Sequence, residues 1–375
     1  MQLSHLWLTD FRCFETAEIE PSSGVTVIYG PNGSGKTSIL EAIGLVATMR
    51  SFRGASRDML VRNGTERALV RAEVRESPRV VLLEADLPLG TRGRIFLNRQ
   101  ITRRLADLSE ALRVSVFSPS DLDLIQGPPA GRRDFLDSSL ASSDLQLEAL
   151  VGEVERILRH RGALLRQGGR RAGSRSYKSS GPTDESRGDI DSSFEVWDER
   201  LSIAGTRLAE AREHLVGQLA EPVASAYRHL AGKDNVLRLS YRRSWEGGLY
   251  EALVATRDDD LKHQSTSVGP HRDELSITLD GMPARTQASQ GEQRCAALAL
   301  RLATHELATE RFGQAPTLLL DDVFSELDER RSELLAERLP PGQVLLATAV
   351  EPPPALSGSV IHISQIGTCR DSEGS

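Results

Sequence analysis

Cysteine is scarce in this 375-residue chain: Cys13, Cys295 and Cys369 are few, far apart and never in a C-x-x-C pair. Such spacing excludes a disulfide-rich scaffold and a cysteine-based zinc site, and it predicts a reducing compartment in which the thiols are inert packing groups. Long apolar runs are missing as well. Leu318-Leu319-Leu320 and Val344 to Val350 fall far short of the roughly 20 residues that a membrane-spanning helix needs. The opening, Met1 to Pro21, carries Asp10, Arg12 and Glu15 with no apolar h-region, so no signal peptide and a cytoplasmic location are expected. No internal repeat and no sustained heptad occur, which argues against a long coiled coil. Positive charge is not in excess either. With 46 Lys and Arg against 53 Asp and Glu, the net charge of -7 argues against indiscriminate coating of nucleic acid.

The charge is unevenly placed, however. Residues 1–250 carry a net +2 and residues 251–375 a net -9; within the first part, 51–113 reach +5, and Arg156 to Lys178 hold eight cations and no acid. Local patches of this kind, and not the total, decide whether a polyanion can be held, although either patch alone could equally be a solvated face. A hydrophobic content of 39% beside 26% charged residues is that of a soluble globular protein, and the length predicts two lobes.

The most informative stretch is Val25-Thr26-Val27-Ile28-Tyr29 running into Gly30-Pro31-Asn32-Gly33-Ser34-Gly35-Lys36-Thr37-Ser38, with a helical pattern from Ile39 to about Arg50. A β-branched run, a glycine-rich turn and a helix form the context that a phosphate-binding loop requires. Gly30, Gly33 and Gly35 permit backbone conformations closed to other residues, so amides from Gly30 to Ser38 can turn inward around a triphosphate at a helix N-terminus. Lys36 is expected to reach the β and γ phosphates, and Thr37 to offer its hydroxyl to Mg²⁺. ATP and Mg²⁺ are therefore the expected cofactors.

Two further stretches complete a nucleotide site. Thr317-Leu318-Leu319-Leu320-Asp321-Asp322 is an apolar strand ending in two acids, of which Asp321 is expected to hold Mg²⁺ beside Thr37 and Asp322 to orient the attacking water. Ser289-Gln290-Gly291-Glu292-Gln293-Arg294 precedes a long helical pattern. Ser289 and Glu292 have capping-box spacing, and the same serine at the positive end of a helix makes an anion site. If that site faces a second molecule, the anion is the partner's ATP.

The remaining pattern predicts an α/β fold. Residues 1–121 read as the first part of an ATPase lobe, 122–235 as a helical lobe with a flexible insertion at 167–191, 236–364 as the second part of the ATPase lobe, and 365–375 as a loose tail. The insertion is rich in glycine and serine and nearly devoid of apolar residues. Arg12, His271 and Arg272 are further candidates for phosphate contact. For Arg272 a salt bridge to Asp273 or Asp321 is an equal alternative.

The phosphate loop, the Ser289-Gln290-Gly291-Glu292-Gln293 signature, the Asp321-Asp322 strand end and the Ser325-Glu326-Leu327-Asp328 turn resemble the Walker A, signature, Walker B and D-loop elements of an ABC-type ATPase head. The head is similar to the chromosome-maintenance branch, SMC and Rad50. More narrowly, Phe117-Ser118-Pro119-Ser120-Asp121-Leu122, Arg132-Arg133-Asp134-Phe135-Leu136-Asp137 and Gly269-Pro270-His271-Arg272-Asp273 resemble the RecF family. That resemblance spans essentially the whole chain. It implies a mixed-sheet ATPase head with a helical lobe, an ATP-dependent homodimer, a slow DNA-dependent ATPase used as a switch, and binding to gapped or single-strand/double-strand junction DNA. It also implies RecR, RecO and RecA as partners, with roles in replication and the SOS response; the other implied reading is an SMC- or RecN-like chromosome protein. The chain departs from transporter heads in having Asp322 where they place glutamate, which predicts slow hydrolysis, and Thr348 where they carry a γ-phosphate-sensing histidine.

Overall fold

The computed structural model describes residues 1–76, 78–102, 104–173, 184–232 and 235–369. The chain forms two compact units: residues 1–125, 221–237 and 287–375 make the first, and 126–220 with 238–286 make the second. Residues 238–286 thus belong with the helical unit, whereas the sequence pattern assigned them to the ATPase lobe. Their strand, Glu274–Leu279, is fastened by a salt bridge from Glu274 to Arg132 of the helix Pro129–Ser143.

The first unit holds two sheets. Five parallel strands run in the order Ser359–His362, Val25–Tyr29, Val344–Thr348, Thr317–Asp321, Val114–Phe117. Thr317–Asp321 and Val344–Thr348 are buried at every residue, which is why they read as unbroken apolar runs and not as alternating ones. A seven-stranded sheet contains the hairpin Gln2–Phe11 and Phe14–Ile19, then Arg67–Glu76 and Arg79–Pro88, and here polar and apolar residues alternate. The helix Lys36–Thr48 shares one apolar core with both sheets: Ile39, Leu40 and Ile43 cluster with Leu6, Phe14 and Val70 and with Ile28, Leu319 and Leu345. A helix buried nearly all round is hydrophobic all round, so this one is held far more by packing than by its own propensity.

The second unit is built on the helices Pro129–Ser143, Leu145–Gly173 and most of Asp184–Ala231, with a three-stranded sheet. Arg161, fully buried, donates to Asp198 and Asp260 at 2.7 Å each and so ties three helices together. Arg212 makes a two-pronged bond to Asp137 and a third to the carbonyl of Pro270.

Three expectations change here. The insertion expected over 167–191 is helical at 167–173 and 184–191, where the flanking helices extend into it; residues 174–183 lie outside the described residues. The tail expected from residue 365 includes the strand Gly367–Cys369, which pairs with Phe14–Ile19 and supplies backbone partners to an otherwise open sheet edge; residues 370–375 lie outside the described residues. Cys13 is disulfide-bonded and so is not an unpaired packing thiol: the hairpin turn that carries it adjoins this last strand, in which Cys369 is the register partner of Phe14. Cys295 is free and buried, and burial pushes its thiol up to about 11. No helix among the described residues is long and apolar enough to cross a membrane.

Candidate nucleotide site

The carboxyl edge of the parallel sheet gathers the site. Tyr29 is the register partner of Thr348, and Ala347 that of Asp321, so the ends of three neighbouring strands lie level. Ligands of open parallel sheets bind at this edge. The loop after Tyr29 turns into the helix at Gly35, whose φ of 96° is strained for any residue with a side chain. An added Cβ there would also lie 2.6 Å from the Phe14 ring and 2.7 Å from Cys13 Sγ. Gly33 shares the left-handed conformation; Gly30 does not, and its small size is required because Ile363 packs against it.

Lys36 is buried and donates to the carbonyls of Gly30 at 2.9 Å and Pro31 at 2.7 Å. Desolvation pulls its ammonium below the usual lysine range, while Asp322 and Asp321 hold it up. Thr37 Oγ1 donates to Asp321 Oδ1 at 2.8 Å. Burial raises the Asp321 carboxyl above the ordinary range, the bond from Thr37 lowers it, and the neighbouring Asp322 raises it again. A buried carboxylate with a raised pKa gains from a cation, and a hydroxyl beside a carboxylate is a hard oxygen donor pair of the kind Mg²⁺ takes. The residues therefore fit a Mg²⁺–triphosphate.

Asp322 sits in the left-handed region at φ 51°, a conformation that costs energy for a non-glycine residue and clusters at functional sites. Its Oδ1 accepts from Ser325 Oγ at 2.5 Å and its amide donates to the Ala347 carbonyl at 2.9 Å, so both ends of the residue are pinned. The sequence reading placed Ser325 in the D-loop-like turn but missed its bond to Asp322; its spacing three residues beyond the acid was the available signal. Thr348 is buried, with its hydroxyl in a local turn with Val350 and its carbonyl accepting from the Gly30 amide at 3.3 Å.

Ser289 is exposed at the N-cap of the helix Gln290–Phe312, and Glu292 closes the capping box on it. Gly291 lies against the Arg331 guanidinium, which an added Cβ would strike. Arg331 also pairs with Asp328 at 3.1 Å, joining the signature turn to the helix Glu329–Glu337.

The other candidates resolve differently. Arg12 is a structural cation: its Nε and Nη2 both bond at 2.7 Å to Glu41, a fully buried carboxylate on the phosphate-loop helix that also accepts from Ser51. Arg272 donates to the Thr266 carbonyl and the Ser265 hydroxyl, while Asp273 accepts from Tyr241 and the Ser244 amide. His271 is bonded to the Thr266 carbonyl and held neutral, its pKa pushed down to about 4 by burial. Of the excess charge of 51–113, Arg62 is matched from outside the segment by Asp10, while Arg67 with Asp86 and Arg71 with Glu84 pair within it. In the second basic segment Arg161 is buried and paired, while Arg156 and Arg159 are exposed; the side chains from 169 to 191 lie outside the described residues.

The chain is similar to known proteins over nearly its whole length. Residues 2–344 match the family described as the RecF/RecN/SMC N terminal domain. A protein of Frankia alni named "DNA replication and repair protein RecF" is 40% identical over 371 residues, covering 94% of each chain. Its namesake in Streptomyces avermitilis is 39% identical, covering 97% of this chain and 98% of its own. A solved structure of the recombination mediator RecF with ATP, described as part of the RecFOR pathway, aligns with a TM-score of 0.82 at 27% identity, covering 96% of this chain and 97% of that one. With an ABC-type ATPase head, a level row of strand ends around Lys36, Thr37 and Asp321, and full-length likeness to these relatives, the chain belongs to the RecF family of DNA replication and repair proteins.

Proposed function

We propose that the protein is an ATP-operated clamp of the cytoplasm: two copies close over two ATP molecules, hold gapped or junction DNA, and let go when ATP is hydrolysed. The observation that carries this reading is the 2.8 Å bond from Thr37 to Asp321, which brings the phosphate loop to a strand end 284 positions later. Gly30, Pro31, Asn32, Gly33, Ser34, Gly35 and Ser38 wrap the triphosphate with the loop, and Lys36 exchanges the Gly30 and Pro31 carbonyls for the β and γ phosphates. Thr37 and Asp321 hold Mg²⁺, which supplies charge neutralisation at the phosphates when bound. Asp322, steadied by Ser325, orients the attacking water. Being a methylene shorter than glutamate, it places that water less well, which supports slow turnover.

The signature supports the switch. Ser289 is exposed, so the hydroxyl of one protomer can meet the γ phosphate held by its partner, with Gly291 allowing close approach. Losing that phosphate on hydrolysis removes the cross-contact and the clamp opens. Shifting a population from 1:99 to 99:1 takes about 5.5 kcal/mol of differential affinity, within reach of two buried sites. The RecF structure with ATP and its RecFOR setting support ATP as ligand and RecO and RecR as partners. RecA loading, a stimulatory role of DNA in hydrolysis, replication restart and the SOS response rest on the family likeness. DNA is held chiefly through phosphates and is released as salt rises. Sedimentation with Mg²⁺–ATP tests the reading: Ser289→Arg should bind ATP as the parent does yet stay monomeric, and a Ser289→Arg protein that dimerises normally overturns the cross-protomer role.

A further inference from the structure

The signature serine is already engaged. Glu292 Oε2 accepts from the Ser289 hydroxyl at 2.8 Å and from the Ser289 amide at 2.9 Å. One carboxylate oxygen therefore takes both donors that the N-cap residue can present, at the positive end of a 23-residue helix. That is the coordination a phosphate oxygen would seek there, and the negative charge is supplied from within the chain.

A capping box does not require the charge. Glutamine at the third helical position closes the same pair of hydrogen bonds, so a glutamate adds an anion to a geometry that a neutral amide would satisfy. The consequence appears only when a second anion approaches. A phosphate brought up by a partner molecule meets a serine whose proton points at a carboxylate, and it meets that carboxylate's charge at close range.

We infer that Glu292 is a positioning residue that holds Ser289 in reserve: its carboxylate stands in for the partner's γ phosphate, and closure of the dimer requires Ser289 to exchange one for the other. The inference rests on the cross-protomer role of Ser289 given above. It makes Glu292 a threshold device that keeps free protein monomeric until ATP on a second copy out-competes the internal anion.

The experiment is sedimentation velocity over a range of protein concentrations with Mg²⁺ and a slowly hydrolysed ATP analogue, alongside thermal melts and analogue titration of the monomer. Glu292→Gln keeps the capping box and should melt like the parent. It should dimerise at about tenfold lower concentration in dilute buffer, with the advantage shrinking as salt screens the removed charge. Glu292→Ala loses the charge and the reciprocal half of the capping box while the Ser289 cap on the backbone amide remains, so it should melt slightly lower yet also dimerise more readily. A merely structural role would move melting and dimerisation the same way. Dimerisation of Glu292→Gln at an unchanged or higher concentration, while Ser289→Arg stays monomeric, overturns the inference and leaves the clamp standing. If Ser289→Arg dimerises as well, the clamp reading itself falls.

Discussion

The glycine cradle and the serine-headed turn, both in the first unit, satisfy their polar groups in opposite ways. The cradle is assembled from remote segments: Thr37 bonds Asp321, and the Gly30 amide bonds the Thr348 carbonyl. Its lysine is buried, and burial raises the carboxyl of Asp321. The signature turn is local, with Ser289 and Glu292 three residues apart and exposed or half-buried. A site made of remote parts exists only in the folded protein and is complete there. A capping box forms on any helix, so what it does beyond capping needs another molecule.

The sharpest break of that contrast is Lys36→Met. The loss of a buried ammonium from a polyanion site should weaken ATP binding at least about a hundredfold. Because an unbranched apolar chain of similar length replaces it, the melting temperature should hold or rise. Calorimetric titration beside a thermal melt checks both. Next in size is Arg12→Ala, which strands the fully buried Glu41 carboxylate and should cost about 3 kcal/mol in urea unfolding. Adding Glu41→Gln should restore part of it; no loss would mean the charge finds water.

The helix Gln290–Phe312 carries a third, smaller effect in its interior. His305 is 1% exposed, and neither ring nitrogen has a partner among the described residues. Burial pushes its pKa down to about 4 from 6.5, so the folded state favours the neutral ring. Its stability is therefore fully present above the unfolded pKa of 6.5 and is lost as pH falls from there toward 4, about 2 kcal/mol between pH 7 and 5. His305→Leu should flatten the acid limb of the stability curve measured by urea titration at each pH. His271 shifts the same way in the second unit, so part of the slope should survive.

How much was legible follows the same division. Strands Val25–Tyr29, Thr317–Asp321 and Val344–Thr348 were readable because buried parallel strands are continuous apolar runs, and the capping box was readable because it spans only four consecutive residues. The short helices Leu249–Ala255 and Arg257–His263 were not, since Arg257 and Asp260 are organised by bonds to Asp198 and Arg161 far along the chain. Arg12 looked like a phosphate ligand until Glu41 was placed beside it, and no local spacing joins those two residues. The closing strand Gly367–Cys369 carries too few residues to show a period.

The smallest effect separates the two kinds of site most cleanly. Ser289 and Asp328 are both N-caps with the same chemistry: Ser289 accepts from the Glu292 amide at 3.4 Å, and Asp328 accepts from the Arg331 amide at 2.9 Å. Replacing either cap with alanine should cost about 1 kcal/mol, visible as a melting shift of a few degrees at most. As helix caps the two are interchangeable, so stability alone cannot tell them apart. Dimerisation can. Ser289→Ala should lose ATP-dependent association along with that small stability, because its hydroxyl has a second use across the protomer boundary. A Ser289→Ala protein that melts lower yet dimerises as the parent does would leave the serine a cap and nothing more, and would hand the anion site to the helix amides.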